Sequence, residues 1–163
     1  MMIALNKFAY YVRRYPGYGQ FSKEVLNWVT EFGKIYNIPK LNRSGLRYIN
    51  IIPFSRESGL IPLNRFLKIK FELPEVFPNN FENLSLVFIS KTEGGAITTK
   101  IESIISADRS HEAILLDFDY AKEKNLVIDH VEQYLEESHT HTKRVFEELI
   151  TDEYRSYLKG DAV

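Results

Sequence analysis

Apolar residues recur at helical spacing in two stretches of this chain. The first stretch predicts a helix over about residues 22–36, with Ser22 as its N-cap and Pro39 just beyond its end. The second stretch predicts a long helix across about 127–150. Thr151 is then expected to cap a short helix over 152–158, and the tail 160–163 is expected to fray.

Runs of β-forming residues predict the strands. We expect strands over residues 2–12, 45–53, 84–91, 96–106 and 113–120, a weaker alternating run over 66–73, and a short helix around 62–67. Gly94 and Gly95 mark a hairpin turn, and residues 108–110 link the next pair of strands at hairpin distance. The sheet is therefore an antiparallel meander. We predict one α+β domain over residues 1–159, with the N-terminal helix and the long C-terminal helix packed on this sheet.

The strand over residues 45–53 carries polar residues among apolar ones. Its two faces comprise Leu46, Tyr48, Asn50 and Ile52, and Arg47, Ile49 and Ile51. An unpaired buried polar group is costly, so this strand either anchors a polar network or presents polar groups to a ligand. Arg47, Tyr48 and Asn50 are therefore candidate binding residues. We favour the network, and the candidate partners of Arg47 are Asp117, Asp119 and Glu147.

Composition narrows the class of protein. The chain has 163 residues, of which 44% are hydrophobic, and no cysteine, so disulfides and thiolate metal sites are excluded. It contains no apolar run of the ~18–20 residues that span a bilayer, and no signal peptide is recognisable at its start. We expect a cytosolic protein that does not enter a membrane.

Charge is distributed unevenly along the chain. Residues 1–70 hold twelve Lys and Arg and three acids, a balance of +9, whereas the remainder has a balance of −10. This asymmetry is found in nucleic-acid-binding proteins and in oligomers that pair the two regions. We favour a simpler interpretation, in which the two halves interleave in space and neutralise each other.

Two motifs suggest chemistry. Asp117 and Asp119 lie two residues apart on a strand, so their carboxylates share a face and suit Mg²⁺ or Mn²⁺ in a hydrolase. The alternative is that they line a solvent face while Ile114, Leu116 and Phe118 pack inward. The second motif interleaves Arg13 and Arg14 with tyrosines, which suits single-stranded nucleic acid. This patch could be extended by Arg43, Arg47, Arg56 and Arg65, or be an aromatic turn packed on the first helix.

Other signals of catalysis are weak. His139 and His141 diverge on a helix, and His130 is nine residues before His139, so a zinc site is not expected. His139 is instead expected to be half-buried, with Glu148 or Asp117 as its partner. The sequence has no Gly-x-Ser-x-Gly, Gly-x-Gly-x-x-Gly or phosphate-binding loop. We therefore expect no cofactor and assign no catalytic residue.

Three segments form a recognisable set. They are Tyr15 followed by residues 19–21, residues 45–50 (GLRYIN), and residues 116–119 (LDFD) followed by the helix with His139 and residues 146–151 (FEELIT). Together they resemble an uncharacterised prokaryotic family with a sporadic distribution among genomes. The resemblance implies the fold but no activity, substrate or catalytic residue. Members of that family are usually longer, so the chain is expected to correspond to their C-terminal two-thirds.

The leading functional hypothesis is a non-catalytic binding or interaction module of a prokaryotic cytosolic protein. A sheet that lacks a strand would need its edge covered, and a two-fold homodimer is the simplest cover. The alternatives are a nucleic-acid-binding domain that uses the basic N-terminal half and a metal-dependent hydrolase that uses Asp117 and Asp119.

Overall fold

The structure is a computed structural model that describes residues 2–4, 7–70, 72–78, 80–106, 108, 110–123 and 126–160. Its strands are β1 (Met2–Ala4), β2 (Lys7–Ala9), β3 (Lys40–Leu41), β4 (Ser44–Phe54), β5 (Ser85–Lys91), β6 (Ala96–Ile105), β7 (Glu112–Lys122) and β8 (Leu126–Val127). Its helices are α1 (Tyr18–Tyr36), α2 (Leu63–Phe66), α3 (Val131–Leu149) and α4 (Asp152–Lys159), and the 3-10 turn Ile128–His130 leads into α3. The predicted α+β class is confirmed.

The chain forms two compact units. One comprises residues 1–46 and 121–139, and the other comprises residues 47–120 and 140–163. The single domain over residues 1–159 stays a prediction. The expected fraying of the tail stays one too, because residues 161–163 lie outside the described residues.

The first unit begins with a hairpin where the sequence predicted one strand. Residues 2–12 do not run straight, because β1 and β2 pair with each other in antiparallel register, Met2 opposite Ala9. The prediction was wrong because the β-forming residues of the two strands follow one another closely in the sequence and were interpreted as one continuous run. Phe8 of this hairpin packs against Phe32 of α1, with ring centroids 5.1 Å apart.

Helix α1 begins four residues earlier than predicted. Its N-cap is Gly17, at a φ of 94° that favours glycine, and the expected cap Ser22 lies within the helix. The buried face of the helix is also narrower than its apolar stripe predicted, because Trp28, Ile35 and Tyr36 are exposed. The helix ends at Tyr36 and is followed by the C-cap Asn37 in the left-handed conformation, and Ile38 N donates to Gly33 O at 3.0 Å.

The first unit also contains a small two-stranded sheet. β3 pairs with β8 in antiparallel register, and Ile128 N donates to Pro39 O at 3.1 Å. Gly33 of α1 lies so close to the Ile128 side chain that an added Cβ would fall 2.3 Å from its Cδ1 atom. At this contact the helix and the 3-10 turn approach closely because position 33 has no side chain.

The second unit contains the main sheet, with strand order β4-β7-β6-β5. β5 and β6 pair in antiparallel register from Ser85 opposite Glu102 to Lys91 opposite Ala96, and the turn between them includes the predicted Gly94 and Gly95. The connection from β6 to β7 is two residues longer, and Ser106 N donates to His111 O at 2.9 Å. The predicted meander is confirmed for these strands.

One face of this sheet forms the core. Wholly buried side chains on it are Ile101, Ile114, Leu116, Phe118 and Tyr120. Phe146 of α3 packs edge-on against Phe118, with ring centroids 6.2 Å apart. Thr151 caps α4 as predicted, because its Oγ1 accepts a hydrogen bond from Tyr154 N at 3.1 Å.

The alternating run over residues 66–73 does not form a strand in its described part. Phe66 belongs to α2, and Leu67 makes an isolated bridge to Ile150 before the chain continues as irregular structure. Phe71 lies outside the described residues. Leu67 and Ile150 are both almost fully buried. This part of the chain is therefore held by tertiary packing beside α4 and not by pairing with a strand of the sheet.

Candidate interaction surface

The face of the main sheet opposite the core exposes aliphatic side chains. We call it the open face, and its most exposed members are Ile49 (52%), Ile51 (59%), Val87 (55%) and Ile89 (72%). Ile49 and Ile51 lie on β4 and Val87 and Ile89 lie on β5, which are the two outer strands of the sheet. The inner strand β6 places Lys100 and Glu102 on the same face, where they pair at 2.6 Å. Exposed aliphatic side chains bordered by polar groups are typical of binding sites.

An ion pair lies between β4 and β7 on the open face. Arg47 Nε donates to Asp117 Oδ1 at 2.7 Å, and Nη2 donates to Oδ2 at 2.6 Å. This two-pronged geometry is the strongest form of arginine–carboxylate pairing. The hydrogen bond to Asp117 raises the pKa of Arg47, and the charges of Asp117 and Asp119 raise it further. Asp117 is therefore the partner of Arg47 among the three that the sequence offered.

The pair lies at the surface of the sheet rather than in its interior. The Arg47 side chain is 57% exposed, whereas that of Asp117 is only 11% exposed. Side chains alternate along β7 as predicted if Asp117 and Asp119 line a solvent face, because Ile114, Leu116 and Phe118 point to the core. Asp117 is nonetheless shielded from water, and the guanidinium of Arg47 is bonded to both of its oxygens.

The other candidate binding residues are distributed differently. Tyr48 and Asn50 are half-buried and alternate with Arg47 along β4, so they lie on the core side of the strand. Arg13 and Arg14 are exposed and belong to the first unit. Of the predicted site residues, Arg47 and Asp117 are therefore bonded to each other. The predicted binding residues of the second unit do not share one face of the sheet, and Arg13 and Arg14 belong to the first unit.

One of the two carboxylates that were proposed to bind a metal, that of Asp117, is already paired with Arg47. Both oxygens of Asp117 accept hydrogen bonds from Arg47. Among the residues that the structure describes, no three His, Asp or Glu side chains lie together as metal ligands would. Metal binding by Asp117 and Asp119 stays a prediction.

Arg56 makes the most extensive side-chain contact in the second unit, and sequence reasoning missed it. Its Nε and Nη2 donate to the carboxylate of Glu112 at 2.8–3.0 Å. Nη1 donates to the carbonyls of Gly59 and Phe81, and Nη2 also donates to that of Glu82. All three nitrogens of the guanidinium are used, so Arg56 holds segments together and does not present charge to a ligand.

Cations of the basic N-terminal half pair with acids of the C-terminal half. These pairs are Arg43–Glu123, Arg47–Asp117, Arg56–Glu112, Arg65–Glu153 and Lys68–Asp152. The favoured interpretation of the charge asymmetry, mutual neutralisation, is confirmed for these residues. The four arginines that were candidates to extend the Arg13–Arg14 patch are all paired with carboxylates.

A cavity of about 880 Å³ lies in the second unit near the first turn of α4. Its walls include Ile52, Phe54, Phe66 and Tyr154. Burial raises the pKa of the Tyr154 phenol. The charged groups that line it are paired with one another, for example Arg65 with Glu57 at 3.0 Å. Ser106, Ser110 and His111 also line the cavity, and Ser110 Oγ lies 2.6 Å from His111 Nδ1. The walls thus combine an apolar part with a small polar group.

His139 is half-buried, as predicted, and its ring lies flat on that of Tyr18, with centroids 3.8 Å apart and an angle of 4°. Both residues belong to the first unit. Burial raises the pKa of the Tyr18 phenol, and the neighbouring carboxylate of Glu136 raises it further. Sequence spacing placed His139 on the helix stripe but could not identify Tyr18 as its neighbour.

None of the helices in the described ranges is both long enough and apolar enough to cross a membrane. Comparison of the chain with protein-family models, with curated proteins and with solved structures found no match. The resemblance to a sporadically distributed prokaryotic family stays a prediction.

Proposed function

We propose that this protein is a non-catalytic interaction module, and that its open face and the adjoining sheet edge bind a protein partner. The observation that carries the proposal is the exposure of Ile49, Ile51, Val87 and Ile89 on one face of a sheet whose other face is a packed core. A prokaryotic source and a cytosolic location are part of the same proposal.

The charge pattern of the surface supports this proposal. Arg47 and Asp117 neutralise each other, as do Lys100 and Glu102, so the open face carries fixed polar groups that can orient a partner without a large net charge. Protein interfaces combine apolar area with a few polar contacts in this way. Residues that would otherwise supply reactive charge, such as Arg56 and Glu112, are engaged in holding the fold.

The experiment is affinity capture of proteins from a cell extract, with the purified chain and two double variants of it as baits. Ile49→Lys/Ile51→Lys places charge on the open face, and the matched control Trp28→Lys/Ile35→Lys makes the same change on the exposed side of α1. We expect a protein that the wild type and the control retain and the open-face variant loses. Capture that is identical for all three proteins would contradict the proposal, provided that circular dichroism shows each variant folded.

A second candidate function is supported by one observation in the first unit. Tyr11 and Tyr15 are exposed beside the exposed Arg13 and Arg14, which is the mixture of rings and charges that binds single-stranded nucleic acid. We expect Arg13→Ala/Arg14→Ala to abolish a mobility shift of single-stranded DNA or RNA at low salt. A wild-type chain that purifies free of nucleic acid and gives no shift would eliminate this candidate.

A further inference from the structure

Strand β5 presents one alternating set of backbone groups to the outside of the sheet. Ser103 N donates to Leu84 O at 2.9 Å, and Thr92 N donates to Gly95 O at 2.8 Å. The register between these two points is uninterrupted. In an antiparallel ladder, alternate residues direct both N–H and C=O toward the same neighbour. The even-numbered residues of β5 therefore bond to β6, and the outward groups belong to Ser85, Val87, Ile89 and Lys91.

The side chains of β5 do little to protect this edge. Val87, Phe88 and Ile89 are all exposed. The strand contains no proline and no acid, and its single charge, Lys91, is at its end. Natural edge strands are usually blunted by charges, prolines or bulges. The opposite outer strand, β4, has such features in Arg47 and Pro53, so β5 is the edge that is open to pairing.

We propose that β5 pairs with β5 of a second copy of this chain, antiparallel about a two-fold axis at Phe88. The proposal rests on the proposed interaction function and names the partner that binds at its sheet edge. Outward groups can bond only to outward groups, which restricts the possible registers. The register centred on Phe88 pairs all four outward residues, whereas a shift to Val87 or Ile89 as the centre leaves one of the four unmatched.

Side chains agree with this register. Val87 lies opposite Ile89 of the partner subunit, which extends the apolar part of the open face across the two-fold axis. Ser85 lies opposite Lys91 of the partner subunit, so no like charges meet. Phe88 lies opposite Phe88 of the partner subunit in a non-hydrogen-bonded pair, where side chains approach most closely. A strand-edge contact is smaller than a standard interface of ~1,600 Å², so we expect a reversible dimer with a Kd of about micromolar order.

The first test is sedimentation velocity of the full chain over a range of concentrations. Val87→Pro removes an outward N–H without removing a bond to β6, and prolines are tolerated at such edge positions. Ile89→Lys places a charge on the same edge. Ile35→Lys is its matched control, because the Ile35 side chain on α1 is equally exposed (72%) and lies outside the open face and its edge. We expect the first two variants to raise the Kd at least about tenfold, and the control to leave the Kd unchanged.

The second test reads the register directly, because the chain has no native cysteine. Phe88→Cys is expected to form a disulfide-linked dimer rapidly on oxidation, since opposed residues of a non-hydrogen-bonded pair have Cα atoms ~4.5 Å apart, within disulfide range. Ser90→Cys, on the same side of the strand, is expected to cross-link slowly or not at all.

Three outcomes would overturn the proposal. They are a wild type that stays monomeric at all concentrations, a dimer that Ile35→Lys weakens as much as Ile89→Lys, and equal cross-linking at positions 88 and 90. A monomer that still captures a partner through its open face would sink this inference and leave the proposed function standing. Failure of both experiments would reject both.

Discussion

Replacement of Arg56 by alanine is expected to destabilise the protein more than the same replacement at an arginine whose side chain is more exposed. Its guanidinium is bonded to Glu112 and to the carbonyls of Gly59, Phe81 and Glu82. The side chains of Arg56 and Glu112 are only 24% and 18% exposed. Alanine would therefore leave a largely buried carboxylate and several carbonyls without their donor.

The magnitude follows from this burial. Removal of one partner of a fully buried ion pair destabilises by about 3–5 kcal/mol, and both partners here keep some contact with water, so we expect about 2–4 kcal/mol for Arg56→Ala. A domain with a free energy of unfolding of about 5–15 kcal/mol remains folded after this loss. With a urea dependence of about 2 kcal/mol/M, the middle of the usual range, the unfolding midpoint is expected to fall by roughly 1–2 M.

The assay is urea unfolding followed by circular dichroism, with Arg65→Ala as the matched control. Arg65 also contacts two carboxylates, Glu57 and Glu153, but its side chain is half exposed, so its removal is expected to change the midpoint little. Arg56→Lys should recover only part of the loss, because lysine cannot reproduce the planar fork of donors.

A midpoint for Arg56→Ala that is no lower than that for Arg65→Ala would refute the reasoning. So would an Arg56→Ala/Glu112→Ala double variant that is less stable by the full sum of the two single changes. Such additivity would mean that the two side chains do not stabilise each other.

Two further predictions concern groups described above. Arg47→Ala is expected to lower the free energy of unfolding by about 1–3 kcal/mol, because it leaves the shielded carboxylate of Asp117 without its donor. Unchanged stability in urea unfolding would show that the pair does not support the fold. For Tyr18, the pKa is raised in the folded state, so the unfolded chain ionises first and stability falls as pH rises above about 10. Tyr18→Phe should show a smaller alkaline loss of stability than the wild type, and equal losses would contradict the assignment.

Local patterns predicted those elements whose signals lie within a few residues of one another. The N-cap Thr151 and the turn at Gly94 and Gly95 are read from short motifs, and both form as expected. The start of α1 was predicted wrongly because Tyr18 follows Pro16 and Gly17, a pair that is typical of loops, and Gly17 in fact caps the helix. Helical spacing likewise gave no measure of how much of the stripe on α1 is buried.

The candidate surface depended on contacts between residues that are distant in the sequence. Arg47 could be assigned a set of acidic partners, but only the alignment of β4 beside β7 selects Asp117. Arg56 was considered only as a possible extension of the Arg13–Arg14 patch. Its structural role could not be predicted, because most of its acceptors are backbone carbonyls, which have no sequence signature. The outward orientation of alternate residues in β5 required the register with β6.

Arg56 also has a topological consequence. Its bonds to Phe81 and Glu82 join the two ends of the segment that follows β4 without a covalent cross-link. Part of this segment, α2 and the buried Leu67, packs against the rest of the second unit. Residues 72–78 of the segment are exposed. Because each doubling of the length of a flexible loop costs only about 0.6 kcal/mol, these residues can be lengthened or cleaved while the ends of the segment stay fixed. They are thus a place where the chain can acquire an insertion without disturbing the sheet.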